Sequence, residues 1–305
     1  MQGYPQFEGP QGYHHHQQQQ QPMINGGMVA PGSYPMTQGV TVNVNYIMPN
    51  QIQPQIVHAP PQQKGGFQKL QELDGIFIKQ KLELLEVVTG CETENKYDVF
   101  ALNKNGKKKG HRLFKCKEKS SWCARQCLSG DCRPFQMNIS TLTRGEDDEY
   151  EPFLRLEREC KCTCLCFERP EVLVTLVEGG KNEYLGKIVD PWNCCNMEFK
   201  VYDKNDTKKY TIEGDCCQLG VWCSWPCEAC QTIDFDVKSG SGEVLSSLQK
   251  RSQGCVKAMV SDSDNFVLSF PNKATEADKA LLMSAVLFVD FRHFENNGKN
   301  NTHNH

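Results

Sequence analysis

With 305 residues, 38% of them hydrophobic, and a formal net charge of −3, the chain can build one large domain or two small ones, and it lacks the basic excess of a nucleic-acid binder. Seventeen cysteines are heavy usage. Because Met1 leads into a polar, Gln-rich segment, no signal peptide is expected, and the thiols belong in a reducing cytosol where they call for burial, metal ligation or acylation rather than disulfides.

Residues 1–64 form the first element, a Gln/Pro/Gly-rich tail without Arg or Cys. Such composition buries too little apolar surface to offset its ordering entropy, so a disordered tail is expected. Gly3-Tyr4-Pro5, Pro10-Gln11-Gly12-Tyr13 and Pro31-Gly32-Ser33-Tyr34-Pro35 are extended segments with an aromatic handle. They suit adaptor modules of the WW or SH3 kind, although plain linker composition explains them as well.

Residues 65–295 read as strand after strand. Phe135 to Ile139, Met197 to Val201 and Ile233 to Lys238 alternate apolar and polar residues with period two, and Val172 to Leu176, Tyr210 to Ile212 and Phe266 to Phe270 are of the same kind. Turn chemistry separates such runs at Asn103 to Gly106, Asp203 to Asp206 and Ser239 to Gly242. The first of these precedes Lys107-Lys108-Lys109, a basic hairpin tip able to graze anionic lipid. On the order of ten or more strands at short spacing predict an antiparallel barrel or sandwich. The end differs, because residues 276–294 carry good helix formers behind Thr275 as N-cap. The uncharged run Ala280 to Val289 is half of the roughly 20 apolar residues that a span needs, so a helix buried in a β-barrel is favoured. A single C-terminal type II span is the alternative, and Asn300-Asn301-Thr302 in the polar tail 296–305 is a sequon that a glycan would mark if the tail lay outside.

Enzyme signatures fail. Gly180 to Lys187 has five residues between its glycines instead of four, and Ile188 stands where a phosphate loop needs Ser or Thr. No catalytic residue is assigned.

Leu82-Glu83-Leu84-Leu85-Glu86-Val87-Val88-Thr89-Gly90, then Arg133-Pro134-Phe135, Trp192, a Cys-Cys pair ahead of Ile233-Asp234-Phe235, Asp262-Ser263-Asp264-Asn265-Phe266, Phe270-Pro271 and Asp290-Phe291-Arg292-His293-Phe294-Glu295 follow in order. This series resembles the phospholipid scramblase family over about Phe67 to Glu295. The resemblance implies a mainly β, tubby-like fold, a closed antiparallel barrel of about twelve strands around a C-terminal hydrophobic helix. It also implies calcium-responsive, ATP-independent movement of phospholipids between leaflets, or, as the alternative, a palmitoylated membrane-tethered adaptor that binds lipids or proteins. The partners expected are the bilayer, its anionic lipids and a possible second copy. The place expected is the cytoplasmic face of the plasma membrane.

The family's palmitoylated run maps onto Cys160, Cys162, Cys164 and Cys166, whose alternate spacing puts four thiols on one face of an extended segment. A thiolate metal site and a plain loop stay open there. Two further groups could hold zinc, Cys123, Cys127 and Cys132, and Cys223, Cys227 and Cys230, with Cys116 or Cys216 and Cys217 to complete them. The family's calcium segment falls on Asp262 to Lys273, where Asp262, Asp264 and Asn265 match and Lys273 replaces the closing acid. Glu276 or Asp278 is the candidate replacement.

Overall fold

The computed structural model describes residues 64–81, 94–103, 105–121, 133–143, 149–159, 169–194, 196–222, 228–252 and 264–294. Twelve strands follow one another: β1 (Gly75–Lys81), β2 (Lys96–Leu102), β3 (Lys108–Lys119), β4 (Phe135–Leu142), β5 (Tyr150–Arg158), β6 (Glu171–Leu176), β7 (Glu183–Val189), β8 (Asn196–Asp203), β9 (Lys208–Asp215), β10 (Thr232–Ser239), β11 (Val244–Arg251) and β12 (Asn265–Ser269). Each pairs antiparallel with the next, and β1 pairs with β12, so the sheet closes on itself. Closure removes the exposed edges that invite aggregation. The alternation expected for β4, β6, β8 and β10 is met: Met137, Ile139, Val172, Val174, Phe199, Val201, Phe235 and Val237 all point inward.

This up-and-down order sorts the connections. Those after even-numbered strands share one end of the barrel, and those after odd-numbered strands share the other. The even-to-odd end is built of tight turns. Asn103 Oδ1 accepts the Asn105 and Lys107 N–H groups, and Asp203 Oδ1 accepts those of Asn205 and Thr207. An Asx side chain mimics backbone in such turns. In the middle of β7, Gly186 (φ 154°) lies against the Tyr202 carbonyl, where any Cβ would collide.

A helix α1 (Gly66–Gln71) packs at the tight-turn end. Two short helices, α2 (Leu219–Trp222) and α3 (Glu228–Gln231), interrupt the β9–β10 connection, and sequence periodicity did not signal any of these three. The last helix, α4 (Glu276–His293), threads the barrel. Thr275 caps it in a reciprocal box with Asp278, as the sequence suggested for Thr275. At about 1.5 Å per residue, α4 is roughly 27 Å long and reaches from the tight-turn end to the opposite one. Lys279 Nζ donates to the carbonyls of Leu70, Gln71 and Leu73 at the near end. Every residue from Asp278 to Phe291 is buried. A helix apolar all round is a core helix. Among the described residues no helix is long and apolar enough to cross a membrane.

Candidate functional site at the helix exit

Where α4 leaves the barrel, its aromatic end meets inward-facing charge. The Phe291 ring lies tilted by 34° against Phe135 at 4.3 Å between centroids, and the Arg133 and Arg158 guanidinium groups lie 4.9 and 5.7 Å from its centre. Arg133 donates to Glu118, and both are fully buried. Glu118 also accepts the Asn95 N–H, the Asn95 amide and the Ser120 hydroxyl. Tyr97 O–H donates to Asp290 at 2.6 Å. Asp190 accepts from Arg169 at 2.9 Å and from Arg292 at 2.7 Å, tying β7 to the end of α4. Lys250 sits 4.4 Å from the Phe294 ring centre and pairs with Asp264 at 2.7 Å. A buried charge is tolerated only when paired and hydrogen-bonded, and Arg133 with Glu118, Arg169 and Arg292 with Asp190, and Lys250 with Asp264 are paired in this way. Its chemistry is mechanical: it anchors the exit of α4 to at least four strand ends. Asp290 and Arg292, the polar groups of the helix end, are thus held at the mouth of the barrel.

The calcium segment is divided by the fold. Asp262 lies outside the described residues. Asp264 accepts Ser252 Oγ at 3.0 Å besides its pair with Lys250. Asn265 opens β12, buried and in register with Lys79 and Arg251. Lys273 is exposed beyond the far end of β12. Five strand residues at about 3.3 Å each separate Asp264 from the turn that carries Lys273, too far for one ion. Asp278 caps α4 at that far end. The described residues therefore offer one carboxylate, already paired with a lysine, and do not fit a calcium site that wants six to eight oxygens.

The cysteines tell a different story. Cys123, Cys127, Cys132, Cys160, Cys162, Cys164, Cys166, Cys223 and Cys227 lie outside the described residues. Cys230, on α3, is disulfide-bonded and so offers no thiolate. At the end of β9, the ligand atoms of Asp215, Cys216 and Cys217 lie within 4.8 Å of one another, a grouping that the sequence reading had only as a supplement to other cysteines. Of the three, Cys216 lines a cleft of about 260 Å³ together with Cys194, Asn196, His293 and Phe294. A second cleft at the same end, about 510 Å³, is lined by Lys119, Ser120, Ser121, Gln136 and Arg158 among others.

Cys116 is buried in β3, and burial, with the nearby Asp98 charge adding to it, pushes its thiol far up. The Cys217 thiol is also raised, chiefly by its hydrogen bond with Cys216 and then by charge on Cys216 and Asp215. The thiolate is the nucleophile, so alkylation of the folded protein read by mass spectrometry is expected to modify Cys194 and Cys216 and to spare Cys116 until denaturant is added. Cys217 is expected to label more slowly than Cys216 at neutral pH. Labelling of Cys116 at the rate of Cys216 would contradict the closed barrel.

The Scramblase family, as a sequence model, matches residues 53–296. Phospholipid scramblase 2 of Bos taurus is 31% identical over 241 residues, covering 78% of this chain and 73% of the relative. Phospholipid scramblase 1 of Rattus norvegicus is 30% identical over 250 residues, covering 81% and 67%. Phospholipid scramblase 1 of Homo sapiens is 29% identical over 244 residues, covering 79% and 68%. No solved structure matches the chain significantly.

Proposed function

The chain belongs to the Scramblase family, and from that premise we propose that it moves phospholipids between membrane leaflets without ATP and without covalent chemistry. Moving a headgroup across hydrocarbon is slow because a polar group there has no partners. A protein speeds it by supplying a polar path at membrane depth or by thinning the bilayer. The observation that shapes the proposal is the filled barrel: α4 occupies the lumen, with Leu282, Ala285, Val286 and Val289 all fully buried. Lipid therefore passes beside the protein, not through it. Acylation of Cys160, Cys162, Cys164 and Cys166 would hold the barrel against the cytoplasmic face, since two or more chains anchor stably where one does not. A calcium response is an expectation of the family that no ligand set among the described residues carries, so no ion enters this mechanism.

The same filled lumen favours a second reading, a lipid-tethered adaptor that binds membrane and partners without moving lipid. Purified protein reconstituted into vesicles with a dye-labelled lipid in both leaflets separates the two. Faster bleaching of inner-leaflet dye by an impermeant reductant, with and without calcium, is the expected result. Vesicle binding with no exchange would leave the adaptor.

A further inference from the structure

We propose that the protein meets the bilayer end-on, with the helix-exit end of the barrel down and Trp192, Leu219 and Trp222 seated at the boundary between headgroups and hydrocarbon; the inference rests on the membrane reading above. Trp192 lies in the β7–β8 connection, and Leu219 and Trp222 form α2 in the β9–β10 connection. They are 55%, 59% and 77% exposed, the three most exposed large apolar side chains among the described residues of this end. Their connections flank the cleft lined by Cys194 and Cys216. The Trp222 indole N–H donates to the Cys216 carbonyl, which fixes the ring's polar edge toward protein.

The distribution along the chain is one-sided. Trp122 falls between β3 and β4 and Trp225 between β9 and β10, so all four tryptophans belong to odd-to-even connections. Of the seventeen cysteines, Cys116 belongs to β3, and the other sixteen fall in sequence between an odd-numbered strand and the next. The acyl-acceptor candidates are joined to the barrel between β5 and β6, next to the β7–β8 connection that carries Trp192. The opposite end shows polar, charged turns such as Asp203 to Lys208 and the Lys107 to Lys109 tip. The exposed apolar groups Val244 and Leu245 start β11 on that opposite end.

A bilayer fits this end better than another protein. Tryptophan favours the membrane interface, where the ring is apolar and its edge stays wet. Chains attached at a neighbouring connection would deliver that surface to the bilayer. The cations of the end are largely engaged with its own acids, Arg133 with Glu118, Arg169 and Arg292 with Asp190 and Lys250 with Asp264. Apolar contact, not charge, then carries the docking, and added salt changes it little.

Because every tryptophan falls in sequence between an odd-numbered strand and the next, tryptophan fluorescence is the probe of this end. Full-length protein purified from cells without thiol treatment is mixed with phosphatidylcholine vesicles whose acyl chains are brominated or plain. Bromine is expected to quench the emission. Trp192→Ser with Trp222→Ser is expected to weaken vesicle binding by about tenfold or more, as withdrawing some 60 Å² or more of apolar surface implies. Val244→Ser with Leu245→Ser, which are 54% and 40% exposed at the other end, is expected to leave binding unchanged. Vesicle binding without bromine quenching, or unaltered in the tryptophan variant, overturns the orientation and leaves the membrane reading standing. A dimer that only the tryptophan variant loses, without quenching, assigns the patch to a second copy and overturns the proposal. No binding to either vesicle overturns the membrane reading itself.

Discussion

Phe288→Ala is expected to lower the unfolding free energy by about 3–5 kcal/mol, the cost of a large cavity in a packed core. Phe288 is fully buried near the middle of α4 and meets Phe199 of β8 edge to face, with ring centroids 5.5 Å apart. The barrel is closed by hydrogen bonds on every side, so it cannot collapse around the missing ring as a loose helix bundle could. Denaturant unfolding of the full chain measures the loss. A residue on a spanning helix would face lipid or another helix, and its truncation would leave the unfolding of the strands untouched. A midpoint shift for Phe288→Ala below about 1 kcal/mol would therefore deny that the helix is a plug. Removal of α4 altogether exceeds the 5–15 kcal/mol by which a domain is usually stable, so a chain ending at Thr275 is expected not to fold.

The expectation of a plug was legible because it rested on length. Ala280 to Val289 is too short for a bilayer and too apolar for a surface, which leaves the inside of a sheet. The same holds for the strands that alternate cleanly, where one face lies on the core and the other in water. What the sequence hid is the inward-facing charge. β3 reads as a lysine-rich run, yet Phe114, Cys116 and Glu118 face inward, the last of them to meet Arg133. β11 shows few apolar residues, and Lys250 points in to meet Phe294 and Asp264. Such positions break the period that a window of sequence can detect, and some partners stand far apart in the chain, 193 residues for Tyr97 and Asp290. The calcium segment differs in another way. Its spacing suits a loop, but Phe266, Val267 and Leu268 are buried strand residues, so the fold draws the stretch out straight.

Glu118→Ala is expected to cost about 3–5 kcal/mol, because it leaves the Arg133 guanidinium in an interior where water cannot replace the carboxylate. The Asn95 and Ser120 donors lose their acceptor in the same step. Arg133→Leu strands the other charge and is expected to cost a comparable amount, although the hydrogen bonds from Asn95 and Ser120 remain to the carboxylate. The pair together behaves differently from either residue. A buried ion pair repays its desolvation only in part, so Glu118→Ala combined with Arg133→Leu is expected to recover most of the loss, leaving the double variant more stable than both single ones. Unfolding of the four proteins completes the cycle. Losses below about 1 kcal/mol for both single variants would mean that water reaches the pair, since that is the range of exposed ion pairs. The belt at the helix exit would then be a set of surface contacts, and α4 would be held by its apolar faces alone.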